Sequence, residues 1–166
     1  MGWGRGLVPF LSVLSGLTES VHKGKEMFTD YPVAIVPSST GGFVATFRDV
    51  PEALAEGRTY DEAKKFAKEA LVLSVDFYRD DFRPFPDASK AKHGEDSVHL
   101  PVSVAAKISL LNAMTAANCR PVDLARKMGV KAQDVTRILD IQHSTKIDTI
   151  EKALYSLGRK FSIIVS

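Results

Sequence analysis

The segment from Val122 to Leu139 constrains what this chain can fold into more than any other, because two short amphipathic patterns lie on either side of Gly129. Apolar side chains recur at the spacing of helices, at Leu124, Met128, Val135, Ile138 and Leu139. Gly129 can take the left-handed conformation that ends one helix and turns the chain. Ala125 is small enough for two helices to cross closely, and we expect Val130 to fill the turn. The pattern predicts a helix-turn-helix, with a plain helical hairpin as the alternative.

This pattern leaves residue types that can read base pairs on the outer face of the second helix. They are Gln133, Asp134, Thr136 and Arg137. Gln can pair with adenine, Arg can pair with guanine, and Thr can contact a base or a phosphate. Lys131 is placed for a phosphate, although it stands where a Ser or Thr often caps such a helix. Because the N-terminal end of a recognition helix enters the major groove, the segment predicts binding to double-stranded DNA.

Charge is divided unevenly along the chain, although the net charge is only +2. Residues 31–97 hold nine basic and twelve acidic side chains, and residues 98–166 hold ten basic and five acidic ones. A basic unit suits a polyanion, because binding releases counterions from phosphates, although a modest excess of solvated lysines would give the same charge. The asymmetry predicts two domains, at 27–101 with a linker at about 83–96, and at 102–166.

The N-terminal unit is predicted to be a small sheet covered by one helix. Tyr31–Pro37 and Phe43–Phe47 flank a loop with two glycines and predict a hairpin, with the first strand buried on both faces. Residues 55–57 and 98–102 are candidates for further strands. Thr59 and Glu62 form a capping box ahead of an apolar stripe that we expect to lie on the sheet. The stripe comprises Ala63, Phe66, Ala67, Ala70, Leu71, Ser74, Phe77 and Tyr78.

The C-terminal unit is predicted to be all-α, which makes the fold class α+β. Ser103 is a candidate N-cap for a helix that runs to about residue 117, and Thr145 with Asp148 opens a later helix that Gly158 closes. Residues 161–165 form a β-prone tail that cannot be a stable strand alone. We expect this tail to pair with a second copy of the chain or with another edge.

The sequence shows no arrangement of residues typical of an enzyme or a metalloprotein. The order of elements is close to a truncated ribonuclease H fold, whose nucleases hold metals with several carboxylates, one of them on the first strand. The first strand here carries no acid between residues 33 and 36, and Asp49, Glu52 and Glu56 fall in one loop region where solvated surface is the default. Cys119 is the single cysteine, and the four histidines lack ligand spacing. We expect no catalytic residue, no metal and no cofactor, and interpret the unit as a protein-binding surface.

Residues 1–26 do not fit either unit. Residues 7–17 form an apolar run that is too short to span a bilayer. The run resembles a weak signal peptide, but no typical cleavage site follows it. We expect an upstream extension or an added leader with Met27 as the natural start, or else a disordered or loosely helical arm.

From Tyr31 to the C-terminus the chain resembles the HicB family of antitoxins from bacterial type II toxin–antitoxin operons. The similar pieces in the first unit are Tyr31-Pro32-Val33, Gly41-Gly42-Phe43, Asp49–Gly57, Glu62-Ala63 and Phe77-Tyr78. Val102–Lys107 and His143–Asp148 are similar to the subgroup that carries a helix-turn-helix. The combination is much more specific than any one piece.

The resemblance implies a degenerate ribonuclease H-like domain that does no chemistry and blocks a small toxin, HicA, an mRNA-cleaving ribonuclease. It also implies a C-terminal domain that binds operator DNA and represses the operon, in a cytoplasmic homodimer or homotetramer without membrane contact. His143, Thr145 and Lys146 thereby join the candidate DNA-binding residues. Asp49, Glu52 and Glu56 are the candidate toxin contacts, because a toxin that holds RNA is basic. A ligand-sensing transcriptional regulator without a toxin partner is the alternative, and a nuclease is a second one.

Overall fold

The computed structural model describes residue 27 and residues 29–163. The strands in these residues are β1 (Asp30–Pro37), β2 (Phe43–Phe47), β3 (Leu54–Gly57) and β4 (Asp96–His99). The helices are α1 (Tyr60–Asp80), α2 (Val102–Ala116), α3 (Pro121–Met128), α4 (Ala132–Leu139) and α5 (Ile147–Ser156). This order confirms the α+β fold class. No helix in the described part is long and apolar enough to cross a membrane. The expectations for residues 1–26 lie outside the described residues.

The four strands form one antiparallel sheet in the order β3-β2-β1-β4. The predicted hairpin is confirmed, with Val33 opposite Phe47 and Pro37 opposite Phe43. The face toward α1 is buried, and its side chains include Tyr31, Val33, Ala45, Phe47, Ala55 and Val98. The prediction that β1 is buried on both faces is wrong, because Val36 lies 52% exposed on the open face. β4 begins two residues earlier than predicted, at Asp96.

Helix α1 begins where its capping residues predict. The Thr59 hydroxyl accepts a hydrogen bond from the Glu62 N–H, and the Glu62 carboxylate accepts one from the Arg58 N–H at 2.7 Å. Most of the predicted stripe is buried against the sheet, but Phe66 and Phe77 are exposed. These two were predicted wrongly because the sheet covers a narrower arc of the helix than the apolar pattern occupies.

The segment between α1 and β4 carries no helix or strand, yet it is firmly packed. The Phe85 ring is 2% exposed and lies edge-on to Tyr31 and Tyr78, at centroid distances of 5.9 and 4.9 Å. Asn112 of α2 accepts a hydrogen bond from the Phe85 N–H at 2.7 Å and donates one to the Phe85 carbonyl at 3.0 Å. The segment therefore ties the sheet to α2, and the buried residues of both regions form one continuous core.

Two predicted helix caps in the C-terminal region are wrong. Helix α2 begins at Val102 with Pro101 as its N-cap, so Ser103 already lies inside it. Helix α5 begins at Ile147 with Lys146 as its N-cap, which leaves Thr145 too early in the chain to cap it. Gly158 does close α5, with φ 72°. Residues 161–163 form no strand in the single described chain, and residues 164–166 lie outside the description, so pairing of the tail stays a prediction.

Candidate functional site

The predicted pair of helices around Gly129 is present as two eight-residue helices, α3 and α4. Gly129 has φ 69°, the left-handed conformation that lets the chain turn without a steric penalty. The next N–H, that of Val130, donates to the Ala125 carbonyl at 3.0 Å and closes the end of α3. The predicted apolar positions of α4 are buried, namely Val135, Ile138 and Leu139. Val130 does not fill the turn as predicted, because it is 41% exposed.

The outer face of α4 carries the side chains that the sequence placed there. Gln133, Asp134, Thr136 and Arg137 are all exposed, as is Lys131 before the helix. The Asp134 carboxylate accepts the Lys131 N–H at 3.2 Å, which is one half of a capping box. The other half, which a Ser or Thr at 131 would have given, is missing, because Lys131 makes no side-chain capping hydrogen bond. Thr136 donates its hydroxyl to the backbone of α4. Within the described residues the side chains of Gln133 and Arg137 form no hydrogen bond or ion pair, so they can contact a ligand without breaking an internal interaction.

A groove of about 400 Å³ runs along this outer face. Gln133, Thr136 and Arg137 line it together with Arg79 and Asp80 at the end of α1. Asp140 and His143 complete the lining. The end of the first helix thus faces the surface that the sequence assigns to base reading.

Lys107 of α2 lies behind the turn that follows α4, and sequence reasoning missed it. Its side chain is 4% exposed, and its ammonium donates hydrogen bonds to the carbonyls of Asp140 and His143. Burial lowers the pKa of Lys107, and the nearby Asp140 carboxylate partly opposes that shift. The signal was available, since Lys107 is the one charged residue of a helix that is otherwise largely apolar, and it lies one turn from the buried Val104 and Leu111. Lys107 fixes the loop that carries His143, Thr145 and Lys146.

The three acids predicted as toxin contacts, Asp49, Glu52 and Glu56, do not form one surface of free carboxylates. The Asp49 side chain is only 13% exposed, and it accepts hydrogen bonds from the Ser89 N–H at 2.8 Å and from the Ser89 hydroxyl at 2.9 Å. Glu52 accepts hydrogen bonds from the Tyr78 hydroxyl and from Arg83, which lower the pKa of its carboxyl. Glu56, on the edge strand β3, is exposed and its side chain has no partner among the described residues. Asp49 and Glu52 therefore hold the segment after α1, and Glu56 alone is free.

The part of the chain that the structure describes contains no candidate metal site. No three His, Cys, Asp or Glu side chains there lie close enough together to hold a metal ion.

Comparison with known proteins identifies the family. Residues 30–109 match the sequence profile described as "HicB_like antitoxin of bacterial toxin-antitoxin system". Antitoxin HicB 1 of Photorhabdus laumondii is 41% identical to the chain over 135 residues, which is 81% of this chain and 86% of that protein. The chain belongs to the HicB antitoxin family. Antitoxin HicB of Escherichia coli strain K12 is 38% identical over 135 residues, 81% of this chain and 98% of its own length. Antitoxin HicB of Pseudomonas fluorescens is 33% identical over 144 residues, 86% and 97% of the two chains.

Membership of the HicB family confirms the resemblance seen in the sequence and gives the chain the role of an antitoxin in a toxin–antitoxin system, which implies a toxin partner. The profile match ends at residue 109, inside α2. The helix pair around Gly129 lies beyond that match, so its interpretation depends on its own geometry.

Proposed function

We propose that this HicB-family protein inhibits a HicA-type toxin, an mRNA-cleaving ribonuclease, through its sheet-bearing unit at residues 27–101. We further propose that residues 102–166 bind operator DNA and repress the operon that encodes both proteins. In this proposal the chain does no chemistry itself, and it acts in the cytoplasm.

The observation that carries the DNA-binding half is the outer face of α4. Its side chains include an exposed Gln133 and Arg137 without internal partners, on a unit with ten basic and five acidic residues. In a major groove these two side chains would contact base edges, and Lys131 would contact a phosphate. A homodimer would place two such helices about 34 Å apart on a palindromic operator, and two dimers would form a homotetramer. Light scattering of a chain lacking residues 160–166 tests whether the tail contributes to that assembly.

The toxin-binding half rests on charge and on the free edge of the sheet. Residues 31–97 hold three more acidic than basic side chains, and a ribonuclease that grips RNA must be basic. Such complementary charge speeds association and fixes the orientation of the partners. β3 is an edge strand, and Glu56 on it is exposed. Glu56 is therefore the strongest of the three acids as a direct toxin contact, with Asp49 and Glu52 shaping the surface beside it.

Co-expression with the gene adjacent to the one that encodes this chain tests the toxin half. The product of that gene should arrest growth alone, should be neutralised by this chain, and should copurify with it. A gel shift with DNA from upstream of the operon tests the DNA half. A harmless neighbouring gene product, or one that does not bind this chain, would refute toxin inhibition. A chain that binds upstream and unrelated DNA equally would refute operator recognition.

A further inference from the structure

A second cavity of about 280 Å³ lies beside the groove on α4. It is enclosed by the first turn of α2 and by the loop between α4 and α5, and its lining includes Ser103, Lys107, His143 and Thr145. His143 borders both the cavity and the groove. The cavity therefore adjoins the surface proposed to read base pairs.

The residues that line the cavity include a buried positive charge, that of Lys107. An ammonium has three N–H donors, and Lys107 uses two of them on the carbonyls of Asp140 and His143. One donor is left for a ligand. The acid nearest to it is Asp140, whose carboxylate already accepts the Gln142 N–H at 2.9 Å. A buried cation is stabilised best by an anion that also accepts its hydrogen bonds.

Two further groups at the cavity could donate hydrogen bonds to a ligand or attract its negative charge. The Thr145 hydroxyl oxygen is buried and has no hydrogen-bond partner among the described residues. The first turn of α2 has no capping side chain and no acidic residue, so the positive end of its dipole is uncompensated. A buried ammonium, an unpaired hydroxyl and an open helix N-terminus are together the donor set that a phosphate group takes.

We propose that this cavity binds one phosphate group of the DNA backbone, next to the base pairs that α4 reads. This inference rests on the proposed DNA-binding function and extends it to Lys107 and to the first turn of α2. Phosphate contacts fix the register of a protein on the duplex. The cavity would hold the loop after α4 against one strand and so set how deeply α4 enters the groove.

The substitution Thr145→Val in the full-length chain gives the sharpest test. The hydroxyl has no internal partner, so its removal should leave the melting temperature unchanged or raise it. Affinity for the upstream DNA should fall about 10- to 150-fold, the effect of one lost hydrogen bond to a charged group. Thr46→Val makes the same change at an exposed position of β2, in the sheet unit, and should leave DNA affinity unaltered.

Lys107→Met provides a second readout that does not depend on affinity alone. Loss of one phosphate contact should reduce the slope of log affinity against log salt concentration by about 1. Loosening of the loop would displace Lys146 as well and lower the slope further, so a fall of about 1 and no more is the result expected for the Lys107 contact alone. Circular dichroism would confirm that the variant is folded, and Thr145→Val decides the matter if it is not.

The outcomes are distinguishable from failure of the DNA-binding proposal itself. A wild-type chain that does not bind DNA would overturn both. Normal binding with unchanged affinity and salt slope in Thr145→Val and in folded Lys107→Met would overturn the cavity alone. The melting temperature in inorganic phosphate, compared with chloride at equal ionic strength, tests whether the ligand is a free phosphate ion or a phosphate of the DNA backbone. If free phosphate stabilised the wild type but not Thr145→Val, with equal DNA affinities, the ligand would be a free anion instead of the DNA backbone.

Discussion

Replacing Arg137 by alanine should separate the two activities proposed for this antitoxin. Arg137 is exposed in the last turn of α4, and its side chain forms no hydrogen bond or ion pair within the described residues. Alanine keeps the helix, so the only internal loss is a cation near the helix C-terminus. That interaction is worth about 0.3–1 kcal/mol on an exposed helix. The variant should therefore remain folded, with a melting temperature close to that of the wild type.

The expected loss in DNA binding is larger than this internal effect. A side chain that contacts a base edge contributes about 1–3 kcal/mol, which corresponds to a roughly 5- to 150-fold weaker complex. Toxin binding should not change, because Arg137 lies on the helix pair and not on the sheet. The predicted signature is a large fall in operator affinity with normal neutralisation of the toxin.

Fluorescence anisotropy with labelled upstream DNA gives the affinity, and co-expression with the toxin gives the neutralisation. Lys152→Ala is a matched control, because it removes an exposed cation of α5 that lines neither the groove nor the cavity. If Arg137→Ala bound the operator as tightly as Lys152→Ala does, the base-reading role of Arg137 would be refuted. A parallel loss of toxin neutralisation would contradict the proposed division of labour.

Three further predictions concern the sheet unit. Gly57→Ala should destabilise the fold by about 1–3 kcal/mol, since a Cβ there would lie 2.2 Å from the backbone nitrogen of Ala63; a melting temperature equal to wild type would refute this close approach. Glu56→Lys should slow toxin association several-fold at low salt, measured by surface plasmon resonance with the exposed Glu69→Lys of α1 as control, and an unchanged rate would exclude Glu56. Burial and the hydrogen bond to Glu52 raise the pKa of Tyr78 to about 12 from 10.0. The contribution of the neutral Tyr78 hydroxyl to the free energy of unfolding is therefore complete below pH 10 and is lost between pH 10 and 12. Unfolding followed by circular dichroism should show that Tyr78→Phe loses less stability than the wild type over that pH range, and identical curves would refute the role of Tyr78.

Local sequence signals predicted most of the elements because their causes are local. Thr59 and Glu62 satisfy the backbone at the start of α1, and Gly129 takes the left-handed turn, whatever the rest of the chain does. The same reasoning failed for Ser103 and Thr145, since a capping residue works only if the helix begins directly after it. Phe66 and Phe77 show the limit of periodicity, which counts apolar residues but not the width of the sheet they meet.

The polar groups of the candidate site were less predictable, because their partners are remote in sequence. Asp49 is bound by Ser89, forty residues later, and no local pattern announces that pairing. Lys107 meets the carbonyls of Asp140 and His143 only after α2 and α4 have packed together. Composition gives the sign of the net charge of each unit, whereas only the folded chain shows which charged side chains already form internal hydrogen bonds or ion pairs.

The junction between the two units decides which experiments can separate their functions. Phe85 fills the space between Tyr31 and Tyr78, and both of its backbone polar groups are bound by Asn112 of α2. Cutting the chain at residue 101 would remove Asn112 and leave those groups without partners, at about 1–3 kcal/mol each if they stay buried. A truncated sheet unit that failed to bind toxin could therefore have lost its shape instead of a contact. Single substitutions in the full-length chain keep this junction intact, and for that reason they are the stronger test of where toxin and DNA bind.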